Sequence, residues 1–150
     1  MAGIYNENTA PLDAAAAAKA AFAAVEGKPF PQDIFTAPEL NWAVIGCGVI
    51  ANQMAQSLAL AGRKVYGIAN RTRDKAEAFA REYGVEHVYD TFEDLYADPA
   101  VDAIYITTPH NTHIGFLRDA LAAGKHVLCE KAITLNSAEL EEARAIADEH

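Results

Sequence analysis

A chain of 150 residues, 51% of them hydrophobic, is long enough to bury one proper core, so a single domain is the starting expectation. A formal charge of −9 argues against nucleic acid or an anionic membrane surface as the main partner, yet leaves room for one phosphorylated ligand at a locally positive site. The two cysteines, Cys47 and Cys129, suggest no disulfide framework, and no stretch is apolar enough to span a bilayer, so a reduced, cytoplasmic setting is the simple expectation.

The Ala-rich run from Ala14 to Ala24 is interrupted by Lys19 and preceded by Glu7 and Asp13, unlike the basic region of a signal peptide. It reads as a helix with Asp13 near its start and Gly27 just past its end. Lys28-Pro29-Phe30-Pro31 follows as an extended linker. Residues 1–40 therefore read as an arm ahead of a domain at 41–150. A cover on the domain, a subunit contact and an arm that matters only in a complete protein are all open to it.

At Asn41-Trp42-Ala43-Val44-Ile45 a short apolar strand meets the turn Gly46-Cys47-Gly48, and Val49-Ile50-Ala51 opens a helical pattern. This is the G-x-G-x-x-G/A layout that seats a dinucleotide diphosphate. Gly46 permits the tight turn, Gly48 has no Cβ to keep the backbone off the phosphates, and Ala51 lets the helix pack closely. The helix N-terminus adds unpaired N–H groups and partial positive charge. The helix is expected from Val49 to Ala61, with Ala51, Ala55 and Ala59 as a small-residue stripe and Gly62 as its stop.

A second strand is expected over Lys64 to Ala69, then a helix from near Thr72 that buries Ala76, Phe79, Ala80 and Tyr83 and stops at Gly84. Glu86 to Tyr89 reads as a third strand, and Thr91 as the cap of a short helix broken at Asp98-Pro99. Ala103 to Thr107 is the fourth strand, Asn111 to Ala123 a helix ended by Gly124, and His126 to Cys129 the fifth strand. Asn136 with Glu139 reads as a capping box for a last helix whose apolar face holds Leu140, Ala143, Ile146 and Ala147. This alternation predicts an α/β, Rossmann-type doubly wound parallel sheet of strand order 3-2-1-4-5. Its crevice lies at the strand C-termini beside the first strand.

The residues around that crevice carry the chemistry. After the second strand, Asn70, Arg71, Thr72 and Arg73 stand where an NAD site offers a carboxylate to the ribose hydroxyls. Guanidinium and hydroxyl groups suit a 2′-phosphate, which predicts NADP in preference to NAD. The alternative is that the arginines are solvated, or that Arg71 stacks on adenine, while the Thr72 hydroxyl is occupied as a helix cap. After the fourth strand, Thr107, Thr108, Pro109, Asn111 and His113 are candidates for lining the ribose and diphosphate, or for building a strand-to-helix turn. His110 and His113 lack a clear third ligand, so no metal is expected. At the end of the fifth strand, Glu130-Lys131-Ala132 places a lysine near the nicotinamide, where it could exchange a proton with a substrate hydroxyl. Glu130 could orient that lysine or bond a ribose. An ordinary exposed Glu-Lys pair fits the spacing equally well.

Four pieces together resemble the glucose–fructose oxidoreductase/inositol dehydrogenase (Gfo/Idh/MocA) family. They are Gly46 to Ala51, Asn70-Arg71, Thr107 to His113, and Gly124 to Lys131. The resemblance spans about 41–150 and implies a nicotinamide-dependent oxidoreductase acting on a hydroxyl-bearing carbon of a sugar, polyol or dihydrodiol. It also implies a second, substrate-binding domain outside this chain and a homo-oligomer in the full-length protein. The isolated chain is then expected to be inactive. The family's Glu-Lys-Pro signature aligns with Glu130-Lys131-Ala132, which implies Lys131 as the proton-exchanging lysine, with alanine replacing the proline that would fix its direction. The competing reading is a non-catalytic dinucleotide-binding or sensor module that acts through protein association.

Overall fold

The computed structural model describes residues 38–150; the Ala-rich run and its linker lie outside the described residues. Five parallel strands form one sheet of order β3-β2-β1-β4-β5, as the alternation predicts. They are β1 (Trp42–Ile45), β2 (Gly67–Ala69), β3 (His87–Val88), β4 (Ala103–Ile106) and β5 (His126–Cys129). Between and after them run helices α1 (Val49–Leu60), α2 (Arg73–Tyr83), α3 (Phe92–Ala97), α4 (His113–Ala122) and α5 (Ser137–Glu149).

The central strands are buried on both faces, which explains why they read as continuous apolar runs rather than as alternating ones. Strand periodicity sorts their side chains into two cores. Ala43, Ile45, Ile104 and Ile106 meet Leu95 of α3 and Leu117 and Ala120 of α4. Val44, Ile68 and Tyr105 meet Ala51 and Ala55 of α1 and Ala76, Phe79 and Ala80 of α2. The buried small-residue stripe stops at Ala55; Ala59 is exposed, while its neighbour Leu58 packs against the core.

Several expected boundaries move. The second strand shrinks to Gly67–Ala69, since its pairing with β1 begins at Ala43 opposite Gly67. The helix expected from Asn111 opens with a single 3₁₀ turn, His110–Thr112, and becomes α-helical only at His113. Thr91 caps α3 in a full capping box with Asp94. At α5 the Asn136 side chain accepts from Glu139 N at 2.9 Å, but the Glu139 carboxylate accepts from Leu135 N instead of Asn136 N, so the reciprocal bond reaches one residue further back. Of the expected apolar face of α5, only Ala143 is buried; Leu140 and Ala147 are exposed. β5 is an edge strand, and Leu128 on it is also exposed.

Candidate dinucleotide site

The crevice starts at the corner where β1 ends. Gly46 has φ of +97°, a region that side-chain-bearing residues avoid, and its N–H donates to Ala69 O at 3.0 Å. A Cβ there would stand 2.9 Å from Thr107 Oγ1. Thr107 in turn donates both its N–H and its hydroxyl to Ile45 O, each at 3.0 Å, which fixes the β4 end against the β1 end. Gly48 differs. Its φ of −80° is ordinary, and nothing lies within 4 Å of where its Cβ would be. What glycine provides at this position is open space above the N-terminus of α1. No side chain caps that helix, so its first N–H groups remain open to an anion. A dinucleotide diphosphate fits the bare corner.

Cys47 and Gly48 are steadied from the side. Asn52 Nδ2 donates to Gly48 O at 2.8 Å, while Asn52 Oδ1 accepts from the Tyr83 hydroxyl at 2.8 Å. Burial pushes the Cys47 thiol above its ordinary range, with Lys75 pulling the other way. Val49 and Ile50, on the first turn of α1, are exposed toward solvent.

A groove of about 370 Å³ extends from this corner, lined by Gly46, Cys47, Gly48, Thr107, Thr108, Pro109 and the segment Asn70, Arg71, Thr72 with Lys75. A second hollow of about 190 Å³ shares Gly46, Asn70, Arg71, Thr108 and Pro109 and adds Phe92, Thr112 and Phe116. The candidates from the β1, β2 and β4 ends are thus brought together. Within the β2 segment the Asn70 amide donates to Thr72 O at 2.9 Å. Thr72 is the N-cap of α2 but makes no side-chain cap bond, so its hydroxyl is not taken up by the helix. Arg73 is consumed elsewhere: its guanidinium pairs with Glu77 at 2.9 Å and with Asp90. Both carboxylates hold it firmly protonated. Lys75 replaces it at the groove. The pattern carried that signal, since Thr72 and Lys75 are three residues apart and face one side of a helix.

The remaining candidates divide. Asn111 is exposed in the 3₁₀ turn and lines neither hollow. His113 is fully buried, with Nε2 2.8 Å from Thr108 O and Nδ1 3.0 Å from Ala132 O. Its ring therefore ties the loop after β4 to the loop after β5, and its side chain does not face the groove. This also removes it from any metal pair with His110, whose ring stands edge-on at 5.6 Å. Glu130 continues the β5 pairing for one residue, its N–H donating to Ile106 O at 3.1 Å, and its carboxylate receives the Tyr105 hydroxyl. Lys131 follows, exposed, and no hydrogen bond or ion pair joins it to Glu130 among the described residues. Of the two roles open to Glu130, orienting that lysine or bonding a ribose, the first has no contact among the described residues. Nothing local in the sequence marks Tyr105 for this contact, because a tyrosine in an apolar strand reads as core.

Comparison with known proteins agrees with this geometry. A family model described as "Oxidoreductase family, NAD-binding Rossmann fold" matches residues 40–150. Trans-1,2-dihydrobenzene-1,2-diol dehydrogenase of Mus musculus is 38% identical over 106 residues, covering 69% of this chain and 32% of that protein. Its Homo sapiens counterpart is 35% identical over 106 residues, with 69% and 32% covered. Among solved structures, KijD10, a 3-ketoreductase from Actinomadura kijaniata in complex with TDP-benzene and NADP, superposes with a TM-score of 0.66 at 34% identity over 75% of this chain and 36% of that one. Myo-inositol 2-dehydrogenase from Lactobacillus plantarum gives 0.67 at 29% identity, with 75% and 34% covered. The chain spans about a third of the length of the curated relatives it matches. With its parallel sheet, its glycine corner and a family match over nearly all the described residues, the chain belongs to the Gfo/Idh/MocA oxidoreductases, within their NAD-binding Rossmann fold.

Proposed function

We propose that these residues hold NADP, in preference to NAD, for an oxidoreductase that moves a hydride between the nicotinamide and a hydroxyl-bearing carbon of a sugar, polyol or dihydrodiol. The observation that carries the coenzyme preference is the lining beside the glycine corner. Arg71, Lys75 and the uncommitted Thr72 hydroxyl surround a space where Asn70 replaces a carboxylate. Two cations and a hydroxyl favour a 2′-phosphate through charge-assisted bonds, and among the described residues that line the groove none is acidic. The presence of NADP in the KijD10 complex supports the same choice.

When bound, the nicotinamide supplies the hydride chemistry. The chain's own residues then have three tasks. The backbone at Gly46 and Gly48 and the start of α1 receive the diphosphate. Phe92, Pro109 and Phe116 offer an apolar hollow, of the kind a base fills, beside Arg71. Lys131, exposed at the end of β5, exchanges a proton with the substrate hydroxyl. The dihydrodiol dehydrogenases and the ketoreductase support a substrate of this class.

Titration with NADPH and NADH, followed by nicotinamide fluorescence, tests the reading. NADPH is expected to bind at least about tenfold tighter, the equivalent of roughly 1.4 kcal/mol. Equal or tighter NADH binding, or indifference to Arg71→Ala, contradicts it.

A further inference from the structure

Glu130 and Lys131 are chain neighbours of opposite charge, yet no hydrogen bond or ion pair joins them among the described residues, and the Glu130 carboxylate is engaged elsewhere. The Tyr105 hydroxyl donates to Glu130 Oε1, and the reason lies in the sheet. Tyr105 sits opposite Leu128 in the β4–β5 register, and the Glu130 N–H bond to Ile106 O carries the strand geometry past the end of β5. Residues two apart on a strand share a face, so Glu130 follows Leu128 onto the side where Tyr105 projects. Tyr105 is almost fully buried, and its hydroxyl comes with a rigid ring and a fixed backbone. Burial and the nearby carboxylate both push its phenol far upward, which keeps the donor proton in place.

We propose that Tyr105 is a positioning residue: by holding the Glu130 carboxylate on the sheet face, it prevents a Glu130–Lys131 ion pair and leaves the Lys131 ammonium available to a substrate. A hydrogen bond from a fixed, buried donor to a half-buried carboxylate outweighs an exposed, solvent-screened ion pair between flexible side chains. The inference rests on the reading of Lys131 as the proton-exchanging group, but its structural part can be tested without turnover.

In the 150-residue chain, Lys131 acetylation by acetic anhydride is measured residue by residue with mass spectrometry. Tyr105→Phe removes only the hydroxyl. It is expected to slow Lys131 acetylation by about threefold or more, because the freed carboxylate pairs with the amine. Adding Glu130→Gln to Tyr105→Phe abolishes the pairing charge and is expected to restore the rate. Should Tyr105→Phe leave the rate unchanged, or should the double variant stay as slow as the single one, the proposal is overturned. Melting temperatures of all three proteins show whether a slow rate reflects lost packing, in which case Lys125, remote from the pair, changes as well and the proposal fails. In the active enzyme the same variant is expected to lower kcat by about tenfold with NADPH affinity unchanged, and the double variant to regain part of it. If Lys131→Ala leaves turnover near wild type while the acetylation result holds, the catalytic reading falls and the positioning role of Tyr105 stands.

Discussion

Gly46 and Thr107 approach so closely across the crevice that a Cβ on the glycine would lie 2.9 Å from the threonine hydroxyl oxygen. At Gly48 a Cβ would meet nothing within 4 Å. One glycine serves the fold and the other keeps space clear, and substitutions should separate them. Gly46→Ala forces a side chain onto a φ of +97° and into Thr107, which is expected to cost about 1–3 kcal/mol. Gly48→Ser keeps an ordinary φ and a good helix cap, so stability is expected to stay within about 0.5 kcal/mol. Its NADPH affinity should nevertheless fall by about tenfold or more. Urea unfolding and coenzyme titration of both variants check this; a stable Gly48→Ser protein with unchanged affinity contradicts it.

His113 holds two loops that the sheet alone does not join. Removing its ring takes away the N–H that one of Thr108 O and Ala132 O accepts, the tautomer deciding which, and leaves a void in a fully buried position. His113→Ala is expected to destabilise by about 2–4 kcal/mol, read from the urea midpoint. Amide exchange should also speed up around Lys131 more than in α2, which lies on the opposite sheet face. Uniform acceleration would mean that the ring contributes only packing.

At the far side of the groove, Lys75 and Arg71 are expected to act on the 2′-phosphate alone. Lys75→Ala should weaken NADPH by about 10–100-fold, the loss of one charge-assisted bond, and leave NADH within about twofold. Parallel titrations of the two coenzymes decide it. Arg73→Ala is the control, since Arg73 is already paired with Glu77 and Asp90. A larger NADPH loss for Arg73 than for Lys75 would reverse the assignment.

The acid limb of stability has an identifiable contributor. Asp98 accepts from the Tyr89 hydroxyl at 2.7 Å and from Ala100 N at 2.8 Å, bonds that hold its carboxyl below the ordinary value of 3.8. A carboxylate whose pKa is lowered by folding adds stability that is present above the unfolded value and drains away as pH falls through the lower folded one. The wild-type protein should therefore lose stability below about pH 4 more steeply than Asp98→Asn. Urea midpoints taken from about pH 6 down to about pH 2.5 measure the difference, and identical slopes contradict it.

Thiol chemistry offers an independent footprint. Burial, then the Glu130 charge, pushes the Cys129 thiol up to about 11, and burial raises Cys47 as well. Both should react sluggishly with iodoacetamide near neutral pH. Cys47 lines the groove and Cys129 does not, so NADPH should protect Cys47 alone. Equal protection of both would point to a general tightening of the fold.

How much of this was legible in the chain depends on how local each determinant is. The Gly46–Ala51 corner and the Thr91 cap follow from residues adjacent in sequence, the strand order follows from the regular alternation of strands and helices, and the structure has all three where the pattern puts them. The spacing of Thr72 and Lys75 places Lys75 toward the groove, but the withdrawal of Arg73 from it depends also on Asp90, which lies in the loop after β3, 17 residues away. His113 and Tyr105 were beyond reach for a related reason. Their partners, Ala132 and Glu130, are 19 and 25 residues away; Glu130 reaches Tyr105 through the β4–β5 register, and Ala132 reaches His113 in the loop beyond it. A buried histidine and a core tyrosine have no local signature that separates packing from positioning.

The measurement that bears most directly on the central claim is a crystal structure of the chain grown with NADPH. The account predicts the diphosphate over Gly48 at the start of α1, with the 2′-phosphate between Arg71 and Lys75. A vacant corner, or coenzyme bound anywhere else, contradicts it.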